Sequence, residues 1–64
     1  MNKTERTIKA RRKAIELIVK SGEPITVKVL VLMLGVGNNT IKNDIRALNT
    51  VHHQDEFLYY GDLL

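Results

Sequence analysis

Cysteine is missing altogether from this 64-residue chain. No disulfide can staple it and no thiolate can hold a metal. Long apolar runs are missing too. A helix that spans a bilayer takes about 20 apolar residues, and no run here comes near that. The first residues carry charge with no apolar segment behind it, so they do not read as a signal peptide. Low-complexity stretches and internal repeats are absent. So are the usual groupings of catalysis: there is no nucleophile–base pair, phosphate loop or carboxylate dyad. Gly35-Val36-Gly37 is too short for a dinucleotide fingerprint and follows no strand. The expectation is a cytoplasmic non-enzyme with no cofactor, no small-molecule ligand and no membrane span.

With 64 residues, the chain can hold one domain, 1–64, and one small core. Domains of this size bury only about 60% of their unfolded surface. Stability must come from close packing, from a partner, or from both. The apolar share of 44% is too high for a disordered tail.

Charge is unevenly placed. All ten Lys and Arg lie between Lys3 and Arg46, against the four acids Glu5, Glu16, Glu23 and Asp44, a balance of +6. Residues 51–64 hold Asp55, Glu56 and Asp62 with no Lys or Arg, a balance of −3. A basic body suits a polyanionic partner, and it equally suits a merely soluble surface.

Three helices are expected. The first runs from about Lys3 to Ser21, opened by a capping box of Asn2 and Glu5. Ile8, Ile15, Ile18 and Val19, with Ala14, form its apolar stripe. Gly22 stops it and Pro24 keeps it from resuming. The second runs from about Thr26, whose hydroxyl caps the first turn, to Leu34, with Ile25 and Leu30 placed as a hydrophobic staple. Gly35 ends it, and Gly35-Val36-Gly37 forces the next helix to cross, with Val36 beneath the crossing. The third runs from about Asn38 to Leu48 or Asn49. Ile41, Ile45 and Leu48 share its apolar face.

Asn39, Lys42, Asn43 and Arg46 share the opposite face, and Asn38 lies beside them at the helix start. Lys and Arg neutralise phosphates or donate to guanine, and Asn can form two hydrogen bonds with an adenine edge. No acid stands on that face. Asp44 sits to one side, where a basic residue of the first helix can reach it. Most helices with such a face simply present it to water; the short glycine turn and the capped helix before it favour a DNA major groove. Lys9 and Arg12 of the first helix are placed to meet phosphates whatever the sequence.

The stretch PITVKVLVLMLGVGNNTIKNDIRALN, residues 24–49, resembles the helix-turn-helix of DeoR-type winged-helix repressors. Leu34, Gly35, Val36, Thr40, Ile41, Asp44, Ile45 and Leu48 match that pattern in order and spacing. The resemblance implies a mainly α fold: a three-helix helix-turn-helix core with a short or rudimentary C-terminal β-wing. It implies sequence-specific binding of double-stranded DNA by a bacterial, phage or plasmid regulator. Asn38, Asn39, Thr40, Lys42, Asn43 and Arg46 would then face DNA. Relatives carry an effector or oligomerisation domain further on, so an N-terminal fragment is one reading of this chain.

Three departures matter. Gly37 stands where the family has Ser, at a cost of only a few tenths of a kcal/mol. Asn38 and Asn43 stand where Arg is frequent, which tilts readout toward adenine. Val29 and Leu32 stand where charge is usual. With Met33 they make a second apolar stripe on a helix whose other stripe, Val27, Leu30, Val31 and Leu34, faces the core. Something must cover it.

The tail offers Val51 to His53 and Phe57 to Tyr60 as wing strands around Gln54-Asp55-Glu56. Relatives often have a basic wing tip, and this one is acidic. Phe57, Leu58, Tyr59, Tyr60, Leu63 and Leu64 make the end so apolar that packing or dimerisation is an equal reading. His52 and His53 point to opposite sides of a strand with no third ligand nearby, so no metal is expected. A homodimer on a two-fold site is expected, with Val29, Leu32, Met33, Phe57, Tyr59 and Tyr60 at the seam; the alternative is a tail folded over the second helix of its own chain. Two other functions compete with transcriptional repression: a protein-binding module that uses the second helix and tail, and the DNA-binding domain of a plasmid replication or partition protein.

Overall fold

The structure, a computed structural model, describes residues 2–61. It is built from α1 (Lys3–Lys20), β1 (Ile25–Thr26), α2 (Val27–Leu34), α3 (Asn38–Leu48), β2 (Val51–Gln54) and β3 (Phe57–Tyr60). Three helices thus precede a C-terminal hairpin. The hairpin does not stand alone. β1 adds to its edge, giving an antiparallel three-stranded sheet in the order β1-β3-β2. This is a helix-turn-helix core with a wing, as expected, with the wing formed and not rudimentary.

The punctuation works as the residue types dictate. Asn2 Oδ1 accepts from Glu5 N at 2.8 Å and opens α1. Ser21 closes it and Gly22 takes φ +88°, which a side chain would resist. Thr26 Oγ1 accepts from Val29 N at 3.2 Å and opens α2. Gly35, at φ +68°, donates to the Val31 carbonyl and ends it. Gly37 opens α3 with no side-chain bond, as glycine must. Asn49 at φ +60° ends α3, and Asp55 at φ +56° turns the hairpin. Asn and Asp tolerate the left-handed region better than most residues.

Strand β1 was not anticipated. Ile25 serves twice: its side chain is buried with Leu30 in the staple, and its backbone pairs with Leu58, as Thr26 does with Phe57. The core is one apolar cluster of Ile15, Val19, Ile25, Leu30, Ile41, Ile45, Val51 and Leu58, with Ile18, Val27, Val31, Leu34, Val36 and Leu48 packed around it. Every element supplies at least one member, so the wing is held by the same core that sets the helices. Among the described residues, no helix is long and apolar enough to cross a membrane.

Candidate nucleic-acid interface

Helix α3 divides cleanly. Ile41, Asp44 and Ile45 are buried. On the opposite side Asn39, Lys42, Asn43 and Arg46 are exposed, with Asn38 exposed at the start and Thr40 half-buried. Spacings of three and four residues keep those four side chains within one stripe. No ion pair among the described residues involves Lys42 or Arg46. The stripe therefore offers amide groups and two unneutralised cations to whatever lies outside.

The one acid of the helix is turned the other way. Asp44 is 1% exposed and is held by two arginines of α1. Arg11 Nε donates to Oδ2 and its Nη2 donates to Oδ1 at 3.0 Å; Arg12 Nε donates to Oδ1 at 2.9 Å. Burial pushes the carboxyl toward its neutral form and is the largest single influence, but the two arginine hydrogen bonds and charges together outweigh it. Asp44 therefore titrates below the usual carboxylate range. The hydrogen bond to Asp44 in turn raises the pKa of Arg11. This triad fixes α3 against α1 and removes the helix's only negative charge from the surface.

Of the two α1 residues expected to meet phosphates, Lys9 is exposed. Arg12 is different: its Nε is committed to Asp44, although the side chain stays 36% exposed. It is an anchor first. Arg6, Lys9, Arg12 and Lys13, with Glu16 paired to Lys13, rim a shallow groove over Ala10 and Leu48, beside the C-terminal end of α3. A basic rim thus adjoins the polar stripe. Arg11, the residue with the closest hold on Asp44, was not singled out from the sequence.

The residues expected at a seam are split. Val29, Leu32 and Met33 of α2 are exposed, Leu32 to 76% and Met33 to 57%. The described part of the tail builds the wing and leaves them uncovered, which sets aside the lid of the same chain for these residues; Leu63 and Leu64 lie outside the described residues. Phe57 and Tyr59 are exposed and share the outer face of the sheet with His52, whose ring centroid lies 5.2 Å from that of Tyr59. Tyr60 belongs to the other face, with Lys20 Nζ 5.3 Å from its ring centroid. His52 Nε2 lies 3.0 Å from the Gly61 carbonyl, while His53 pairs across from Leu58 on the opposite face. The two histidines thus diverge, as the strand period requires.

Fold and surface together define a winged helix-turn-helix domain whose third helix bears an acid-free polar stripe. Comparison of the chain with family models, with curated proteins and with solved structures finds no match.

Proposed function

We propose that this chain binds double-stranded DNA by sequence, with α3 in the major groove, and acts in the cytoplasm as a repressor-like regulator of the DeoR type. The observation that carries this reading is the division of α3. Asn39, Lys42, Asn43 and Arg46 point outward while Asp44 is buried and neutralised. An acid-free stripe suits a face that approaches phosphates, because a carboxylate there would repel them. Lys42 and Arg46 supply attraction, and the asparagines suit adenine edges.

One such helix contacts few bases, so two copies on a two-fold site are part of the proposal. The exposed Val29, Leu32 and Met33, with Phe57 and Tyr59, are the apolar surface such a pairing would use. That same surface supports a second reading, in which the domain binds a protein through α2 and not DNA.

Selection of bound duplexes from a random pool separates the two. The proposal expects a strong consensus with two-fold symmetry. No enrichment favours the protein-binding reading.

A further inference from the structure

A hollow of about 390 Å³ lies between the third helix and the first strand of the hairpin, lined by Lys42, Ile45, Arg46 and His53. Two cations and an imidazole border it, and no carboxylate does. The acids of the wing turn, Asp55 and Glu56, are not among its walls. Ile45, 8% exposed, gives it an apolar wall, which weakens competition from water for a charge seated there. Lys42 and Arg46 stand one helical turn apart on the stripe, so both heads can reach one tetrahedral anion. His53 approaches from a different element.

A helix in a major groove is flanked by the two sugar–phosphate ridges. A hollow at the boundary of helix and wing meets a ridge and not a base edge. We infer that it seats one backbone phosphate of the bound duplex, with Lys42 and Arg46 supplying charge and His53 supplying a donor from the wing. This rests on the DNA-binding reading. It also gives a wing with an acidic turn a contact of its own: His53, two residues before Asp55, borders the hollow, while Asp55 and Glu56 do not line it.

The test uses a selected duplex in which single phosphates are replaced by neutral methylphosphonates. Wild type should lose about tenfold in affinity at one phosphate per half-site. His53→Ala and Lys42→Ala should each bind the unmodified duplex more weakly and show little further loss at that phosphate, the mark of a shared contact. His53→Arg should restore the dependence. Gln54→Ala, on the other face of β2, should keep it. If Lys42→Ala masks a phosphate and His53→Ala masks none, the wing takes no part and the inference fails. If inorganic phosphate alone binds at micromolar levels, the hollow is a small-anion site and the assignment to backbone fails. If wild type selects no duplex at all, the DNA reading itself has failed, a result seen before any phosphate is replaced.

Discussion

Helices α2 and α3 lie side by side in one small fold, and they turn opposite chemistries outward. Helix α3 exposes Asn, Lys and Arg and hides its acid. Helix α2 exposes Val29, Leu32 and Met33, and its only charged residue is Lys28. Their inner faces are alike: Leu30 and Ile41 are both fully buried in the shared core. The outer faces are therefore not the by-product of packing. A polar stripe costs nothing in water, so the outer face of α3 needs no cover. An exposed aliphatic stripe at the centre of a helix gains stability only when something covers it. The contrast suits the proposed division of labour, with α3 for DNA and α2 for a second copy.

The largest expected effect falls on the anchor that gives α3 its acid-free face. Asp44→Ala leaves Arg11 and Arg12 packed without their shared partner. Breaking a buried pair costs about 3–5 kcal/mol, and the low end applies because Arg12 is partly exposed. A domain of this size has about that much stability in total. The variant should keep no more than about 2 kcal/mol of stability in urea; a loss under about 1 kcal/mol would show that the triad is dispensable. The same contact sets an acid limit. Because the folded Asp44 titrates below its unfolded value, its stabilisation is complete above the ordinary carboxylate range and is lost as pH falls through the lower, folded pKa. Acid unfolding should begin below about pH 4 in wild type. An onset near neutrality would implicate other groups.

Leu32→Glu sharpens the contrast from the α2 side. Leu32 is 76% exposed, so folding stability should change by only about 0.5 kcal/mol. Sedimentation should find a folded monomer that binds a two-fold site at least about tenfold more weakly. A variant that stays dimeric places the seam elsewhere.

Next come the asparagines of the stripe. Asn43→Ala or Asn39→Ala should cost about 1–3 kcal/mol on the selected duplex and less on random DNA. Equal losses on both would mean that these side chains only position the protein. Smallest is Lys9→Ala on the basic rim of α1. It should weaken cognate and random duplexes alike and lower the slope of log affinity against log salt by about 1.

The sequence discloses this fold unevenly, and the reasons are physical. Asn2, Thr26, Gly22 and Gly35 mark helix ends because capping and positive φ are local requirements, and each performs as its chemistry suggests. The stripe on α3 is equally legible, since a helix period turns spacing into a face. Strand β1 was hidden: two residues give no alternation to read, and Ile25 already had a role as a staple. Arg11 was hidden for another reason. Its contact with Asp44 spans 33 residues, so only the kind of partner could be foreseen, not the residue. The hollow beside His53 forms only when β2 packs against α3. It leaves no trace in local sequence.

The central claim is that α3, and not α2, meets the duplex. Amide chemical-shift mapping of the protein on addition of a selected duplex tests it directly, with Leu32→Glu used so that dimerisation does not contribute. The account predicts large shifts at Asn38, Asn39, Lys42, Asn43 and Arg46, smaller ones at Lys9 and His53, and none at Val29, Val31 or Met33 beyond the general change of environment. Shifts centred on Val29 to Met33, with Asn39 to Arg46 unmoved, would contradict it.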